Sequence, residues 1–488
     1  MRRSSVRITM SIRRDAFWSA TDTLITSGLA FGLRLIVARL LAPEDFGIAM
    51  IAVTVIGLLQ AVNDFGLTAA LIQKDEEEVT ASLIDTTFTA SLIITVLLAL
   101  ATAALIAPFA ASAYGEPSLQ PLILVLGLTL LPSPFSTVVS ALMFRRGRFR
   151  ANAVIKVIAN LLGMMTAIVL VMINPSPWVI VAQVLASSLA AAVMLQIANP
   201  HRYRLRLSKE HLGSVFGFST FILLSDLLSF AQSNAGVFIL GLVLSTASVG
   251  YFALATYLTN TARKIVMSIL NRVTFVHFSR NKHDQGFLRK KFISTVRWNC
   301  RALFPPLTAM MLFGPSWAPQ FMGEEWSALG SLLFWLSLTV IVGTSGGTTS
   351  NLYKSMGRPG LDLTFAVVTT AGLLFPGVYV AAQIYGLEGA AIATFVVKVL
   401  AVAIRLFALR KLVPGAASGA ILASLFQALL QTPVVLAWAA STMLGITEWY
   451  LQLPFIVVAF LIYGSYELPR AFPDLLPKLL RRFRERKI

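Results

Sequence analysis

Long apolar runs constrain this chain more than any other feature of its sequence. A helix needs about 20 mostly apolar residues to cross the roughly 30 Å hydrocarbon core of a membrane, where its backbone polar groups must be paired internally. The 488-residue chain contains fourteen candidate runs, separated by glycine, proline or charged residues. They lie at about 17–41, 46–72, 83–108, 119–143, 151–173, 177–198, 213–242, 246–270, 296–314, 327–350, 361–384, 387–410, 418–444 and 447–467. The pattern predicts an all-α polytopic membrane protein with about 14 transmembrane helices.

The composition excludes a soluble enzyme. Apolar residues make up 57% of the chain and charged residues 13%, whereas soluble proteins have about 45–50% and about 25%. The single cysteine, Cys300, and the four histidines form no disulfide framework and no CxxC or HxxxH metal spacing. The sequence also lacks a GxxxxGK[ST] phosphate loop. We therefore expect no metal, no cofactor and no ATP hydrolysis.

The basic residues predict the orientation in the membrane. The chain has 40 Lys and Arg against 22 Asp and Glu, a formal charge of +18. Of the 40, 38 lie on the side of the even-numbered loops and the two termini, and only Arg34 and Arg39 do not. By the positive-inside rule both termini are cytoplasmic. Because these residues are divided among eight segments, they describe topology rather than a nucleic-acid groove, and the short exterior loops exclude an exported catalytic or receptor domain.

An internal repeat predicts two related lobes. Residues 40–49 align with residues 243–252 at an offset of 203, and residues 144–148 align with 353–358 at an offset near 209. Each pair falls at the same topological place in its half, as repeats in transporters do. We predict two six-helix lobes plus two C-terminal helices. The expected segments are a cytoplasmic flank (1–16), the N-lobe (17–200), a cytoplasmic linker (201–212), the C-lobe (213–411), the last two spans (418–467) and a basic amphipathic tail (468–488).

Motifs along nearly the whole chain give it a family resemblance. They are ARLLAPEDFG at 38–47, DFGL at 64–67 with ALIQ at 70–73, residues 275–280, GEEW at 323–326 and MGRP at 356–359. In this order, and with fourteen spans, the chain resembles the polysaccharide exporters, or Wzx-like flippases, of the multidrug/oligosaccharidyl-lipid/polysaccharide (MOP) superfamily, in the exopolysaccharide branch. His277 stands where the family pattern has proline.

The resemblance implies a flippase of the bacterial inner membrane that serves exopolysaccharide or lipopolysaccharide synthesis. Its substrate would be a polyprenyl-pyrophosphate-linked oligosaccharide repeat unit, moved between leaflets by alternating access. Two lobes can supply a polar cavity for sugar and pyrophosphate, which cannot cross hydrocarbon unaided. The expected partners are this lipid-linked oligosaccharide, anionic membrane lipids, H⁺ or Na⁺ as coupling ion and the polysaccharide polymerase machinery.

Two groups of alternatives stay open at this point. A drug/cation antiporter or a peptidoglycan-precursor flippase would share the fold. A membrane glycosyltransferase or polymerase belongs to another class, and it would need clustered carboxylates or a sizeable polar loop at one face. The spans and exterior loops show neither.

Charged residues inside the predicted spans are the candidate site residues, because charges in a membrane are costly and usually face a cavity or a partner. Cations that could line a cavity for an anionic pyrophosphate are Arg34, Arg263, Lys398 and Arg405. Acids that could couple an ion or pair with these cations are Asp22, Asp64 and Asp226. Lys398 lies near the middle of its span and is predicted to be the main anchor. Beyond the last span, leucines alternate with basic residues at helical spacing, which predicts an in-plane helix on the anionic cytoplasmic leaflet.

Overall fold

The computed structural model describes residues 34–64, 79–200, 203–280 and 284–471, together with Gly28, Phe31, Gly32 and Leu71. Within these ranges the chain is helical and has no β-strand, which confirms the predicted all-α class. Asp22, most of the first predicted span and the tail 472–488 lie outside the described residues.

Most helices follow the predicted runs, but the helix Gln285–Met322 is much longer than the predicted run 296–314, and the predicted run 418–444 is divided between two helices. In the first part of the chain the helices are α1 (Pro43–Asp64), α2 (Ala81–Ala113), α3 (Leu119–Arg145), α4 (Phe149–Ile173), α5 (Trp178–Ala198) and α6 (Lys209–Val243). They continue as α7 (Thr246–Arg280), α8 (Gln285–Met322), α9 (Leu329–Ser355), α10 (Pro359–Val367), α11 (Phe375–Leu412), α12 (Ala416–Leu429), α13 (Thr432–Met443) and α14 (Trp449–Ala471). A π-helical segment, Val368–Leu374, joins α10 to α11. Residues 34–40 are also helical.

Ten helices of the described ranges are long and apolar enough to cross a membrane. The protein is therefore a multi-pass membrane protein. One of the ten extends from Gly360 to Leu412 and is interrupted at Gly386, whose φ of 64° is left-handed. The interruption falls at the predicted boundary between spans 361–384 and 387–410. The total of fourteen spans stays a prediction.

The described chain divides into two compact units. The first comprises residues up to Leu254 together with Ala366–Ala390, and the second comprises Ala255–Phe365 together with residues from Ala391 onwards. This division follows packing, whereas the predicted lobes 17–200 and 213–411 follow the internal repeat. The lobe boundaries therefore stay a prediction.

The two copies of the repeated segment meet inside the first unit. A Cβ added to Gly47 would lie 1.8 Å from the carbonyl oxygen of Thr246, and one added to Gly250 would lie 2.1 Å from that of Pro43. Thr246 and Gly250 are the repeat equivalents of Pro43 and Gly47 at the offset of 203. The contact is thus reciprocal, and only glycine permits so close a backbone approach.

Candidate functional site

Lys398 occupies the part of α11 that follows the break at Gly386. Its side chain is half-buried and extends over Gly343 of α9. A Cβ on Gly343 would lie 3.3 Å from Lys398 Cδ, so the glycine leaves room for the lysine stem. Gly343 begins a run of small and polar residues, GTSGGTTSN, at 343–351. This run gives α9 a narrow, polar surface on which a long cationic side chain fits.

Two further cations lie near Lys398. Arg263 of α7 and Arg405 of α11 are both close enough to interact with it electrostatically. Arg263 is half-buried, and its Nε donates a hydrogen bond to Oδ1 of Asn260 at 3.1 Å. Within the described ranges no carboxylate forms an ion pair with Lys398 or Arg263. The structure therefore brings together three of the four predicted cavity cations.

Asp362 of α10 is the carboxylate at the edge of this cluster. Its Oδ1 lies 3.5 Å from Arg405 Nη2, and its Oδ2 lies 3.5 Å from Lys354 Nζ. The same Oδ2 accepts a 2.6 Å hydrogen bond from Ser350 Oγ. Nearby, the Tyr353 hydroxyl donates to the carbonyl oxygen of Arg405 at 2.7 Å. Asp362 thus pairs with two of the four cations in this region. We call Arg263, Lys354, Asp362, Lys398 and Arg405 the basic cluster.

The basic cluster carries a surplus of positive charge among apolar helices. Charge interactions are stronger there than in water because the surroundings screen them less. Arginine and lysine bind phosphate oxygens through charge-assisted hydrogen bonds, and an anion would relieve the repulsion among the cations. Arg405 Nε is buried and has no hydrogen-bond partner in the described part of the chain. The cluster can therefore bind an anionic group.

The remaining predicted site residues belong to the first unit, apart from Asp22, which is not described. Arg34 is half-buried, and its Nη2 lies 3.4 Å from the sulfur of Met50. Asp64 is exposed at the end of α1, and Asp226 is exposed on α6. The structure does not place these residues in the basic cluster.

Several polar residues with clear structural roles were not predicted from the sequence. Asp362 looks like an ordinary acid in the first turn of a helix, where acids are favoured. Arg301 of α8 and Glu467 of α14 form a buried ion pair within the second unit. The sequence did contain a signal for this pair, because Arg301 and Glu467 each lie within a predicted span, where a charged side chain usually has a partner.

Comparisons with known proteins agree with the fold and the resemblance. The family model described as "Polysaccharide biosynthesis protein" matches residues 36–330. The succinoglycan biosynthesis transport protein ExoT of Rhizobium meliloti (strain 1021) is 26% identical over 75% of this chain and 74% of its own. The lipopolysaccharide biosynthesis protein WzxC of Escherichia coli (strain K12) is 22% identical over 83% of each chain.

Solved structures match the fold over nearly the whole molecule. The lipid II flippase MurJ, in its inward closed conformation, superposes with a TM-score of 0.72 at 13% identity and covers 93% of this chain and 99% of its own. An inward-facing multidrug resistance MATE transporter of the MOP superfamily gives a TM-score of 0.62 at 17% identity, over 82% of this chain and 99% of its own. Together with the family match, these likenesses show that the chain belongs to the polysaccharide biosynthesis protein family and has the MOP superfamily fold.

Proposed function

We propose that this protein is a flippase that moves a lipid-linked oligosaccharide across the membrane for polysaccharide synthesis. The substrate class is a polyprenyl-pyrophosphate-linked repeat unit, and the route is alternating access in the inner membrane. Family membership supports the transport of a polysaccharide precursor. The observation that carries the proposal is the basic cluster, because its surplus positive charge suits the pyrophosphate of such a precursor.

The chemistry of the cluster assigns distinct roles to its members. Lys398 is the main anchor for the anionic headgroup, since no carboxylate of the described chain neutralises it. Arg263 and Arg405 add charge beside it. Asp362 holds Arg405 when no anion is bound. Arg34, Asp22, Asp64 and Asp226 stay predictions as further cavity or ion-coupling residues, with H⁺ or Na⁺ as the coupling ion.

The alternatives are less well supported. MurJ and the MATE transporter share the fold, so the fold alone does not separate a polysaccharide flippase from a peptidoglycan-precursor flippase or a drug antiporter. The family model and the names of ExoT, WzxC and the teichuronic acid biosynthesis protein TuaB of Bacillus subtilis (strain 168), which is 24% identical over 63% of each chain, favour polysaccharide precursors. We accordingly propose a transporter rather than an enzyme, acting beside the polymerase that consumes the flipped unit.

The topology is part of the proposal. Both termini are placed in the cytoplasm, because most basic residues lie toward the even-numbered loops and the termini, and the positive-inside rule assigns the side richer in Lys and Arg to the cytoplasm. Reporter fusions after Gly115, Pro175 and Gly445 should then be exterior, and fusions after Gly147 and Arg280 should be interior. An odd number of spans in this assay would refute the orientation.

Deletion of the gene in its own host tests the function. Polymer export should stop, and unpolymerised lipid-linked repeat units should accumulate on the cytoplasmic leaflet. The wild-type gene should restore export, and so should Lys156→Ala, which removes an exposed lysine of α4. Normal polymer export in the deletion strain, together with lost efflux of cationic dyes, would favour the drug antiporter instead.

A further inference from the structure

A short linker is hydrogen-bonded through its backbone to about one turn of a helix in the first unit. The N–H groups of Arg204, Arg206 and Ser208 donate to side chains of α2. Their acceptors are Asp85 Oδ1 at 3.2 Å, Thr89 Oγ1 at 3.1 Å and Thr86 Oγ1 at 3.3 Å. Alternate N–H groups that point to one helix indicate an extended backbone. We call residues 203–208 the strap.

Tyr203 fixes the start of the strap. Its ring stacks on Phe88 at 4.1 Å between centroids and meets the ring of Phe135 edge-on at 5.5 Å. Its hydroxyl accepts a 2.5 Å hydrogen bond from Gln196 Nε2. Burial raises the pKa of Tyr203, and the Gln196 bond opposes that rise only partly. The phenol is therefore neutral at physiological pH and acts as a packed anchor.

The strap exposes both apolar and basic side chains. Leu205 is 75% exposed and Leu207 is 51% exposed, and Arg204 and Arg206 are exposed as well. In an extended segment successive side chains point to opposite faces, so both leucines share the face of Tyr203 and both arginines share the other. A segment with one apolar face and one basic face matches a membrane–water interface, where leucines enter the apolar layer and arginines meet phosphates.

An apolar groove begins where Tyr203 is anchored. It has a volume of about 540 Å³ and is lined by Phe135, Ala192, Val193, Gln196, Ile197 and Pro200. Tyr203 contacts two of these residues, Phe135 and Gln196. The groove therefore begins beside the anchored start of the strap and lies between α3 and α5.

We propose that the strap and this groove form a binding site for one anionic phospholipid. An acyl chain lies in the groove and against Leu205 and Leu207, and the phosphate binds Arg204 and Arg206. The choice of an anionic lipid follows from charge complementarity, since both exposed charges of the strap are positive. The two arginines should favour an anionic headgroup by about 30-fold, the combined effect of two basic residues near a charged membrane surface.

Photo-crosslinking locates and measures this site. The purified full-length protein is labelled with phosphatidylglycerol that carries a diazirine on one acyl chain, and unlabelled phosphatidylglycerol or phosphatidylcholine competes. We expect crosslinks on residues 192–200, and competition by phosphatidylglycerol at about 30-fold lower concentration than by phosphatidylcholine. The absence of crosslinks there, or equal competition by the two lipids, would overturn the proposal.

Three variants separate the two parts of the site. Arg204→Gln with Arg206→Gln should make the two competitors nearly equal while crosslinking to α5 persists. Val193→Trp, which fills the groove at a residue that is 57% exposed, should abolish crosslinking. The matched control is Arg148→Gln with Arg150→Gln, a second pair of exposed arginines two residues apart, and it should keep the preference. The proposal would be contradicted if the control variant lost the preference for phosphatidylglycerol over phosphatidylcholine, or if the strap variant kept that preference. Either result would show that general surface charge selects the lipid.

Discussion

Two polar regions, one in each unit, differ in character. In the first unit the buried Asn63 of α1 donates to Ser133 Oγ at 2.9 Å and accepts from Thr95 Oγ1 at 2.8 Å. One helical turn earlier, Gln60 donates to Thr129 Oγ1 at 3.0 Å. These neutral groups find their partners within the chain. In the second unit Lys354 and Arg405 pair with Asp362, whereas Lys398 lies near the like charges of Arg263 and Arg405.

The difference separates packing from ligand binding. A buried neutral network whose members are all bonded stabilises one arrangement of helices and needs nothing from outside. A group of cations with one carboxylate is destabilised by its own repulsion and gains most from an added anion. Polar residues around Asn63 should therefore affect stability, and Lys398 should affect transport. The following substitutions test this contrast, from the largest expected effect to the smallest.

Lys398→Ala should abolish polymer export while the protein remains inserted and folded. Loss of a buried charge from its ion pair costs about 2–5 kcal/mol, which corresponds to about 30- to 5,000-fold weaker binding of the headgroup. The thermal stability without substrate should be unchanged or higher, because repulsion with Arg263 and Arg405 is relieved. Lys398→Arg should keep part of the activity. Export at the wild-type rate in Lys398→Ala would place the anchor elsewhere.

Asp362→Asn should lower the free energy of unfolding by about 3–5 kcal/mol, since removal of one partner leaves the charge of Arg405 buried and uncompensated. The measurement is thermal unfolding of the purified protein in detergent, with expression level as a second readout. The double variant Asp362→Asn with Arg405→Gln should be more stable than Asp362→Asn alone. If the single variant is as stable as wild type, Asp362 does not balance the cluster.

Asn63→Ala should cost about 1–3 kcal/mol of stability, because Ser133 and Thr95 lose a buried hydrogen-bond partner. Export divided by the amount of folded protein should stay close to the wild-type value. A transport rate that falls as far as in Lys398→Ala, at equal protein level, would erase the proposed difference between the two regions.

Gly343→Ala should have the smallest free-energy effect of the four substitutions, and its effect should fall on transport. The added methyl group would lie 3.3 Å from Lys398 Cδ, so the lysine stem must shift by a few tenths of an ångström. A twist of about 30° away from its rotamer, which such a shift can require, costs about 0.5–1.5 kcal/mol. We expect transport to fall by about two- to tenfold. Gly347→Ala is the matched control on the same helix, because nothing lies within 4 Å of its Cβ. Equal activities of the two variants would show that the stem of Lys398 can move freely.

The sequence predicts the helices better than the site. Apolar runs, and the glycine, proline and charged residues that separate them, are local features, so the break at Gly386 and the start of α9 follow from short stretches of residues. The helix α8 extends about ten residues beyond each end of the predicted run 296–314. The grouping of Arg263 with Lys398 depends on how α7 packs against α11, which no local pattern contains. Arg405 and Lys398 are seven residues apart on one helix, about two turns, and their common face was predictable.

Asp362 and the strap illustrate what local patterns conceal. In the sequence, Asp362 looks like any acid that favours the start of a helix. Its interactions with Ser350 and Arg405 are visible only in the structure. The linker 201–212 was expected only to connect two lobes, because its bonds to Asp85, Thr86 and Thr89 join residues about 120 positions apart. By contrast, the aligned segments around Gly47 and Gly250 predicted a pair of equivalent positions, and the structure packs each of these glycines against the other segment.

Translocation by the purified protein tests the central claim most directly. Proteoliposomes would contain the wild type, Lys398→Ala or Lys156→Ala, with a fluorescent polyprenyl-pyrophosphate oligosaccharide in both leaflets, and a membrane-impermeant quencher would report movement between them. We predict that wild type and Lys156→Ala exchange the lipid at equal rates and that Lys398→Ala falls to the rate of protein-free vesicles. Exchange by Lys398→Ala at the wild-type rate would contradict the assignment of the basic cluster as the binding site for the transported headgroup.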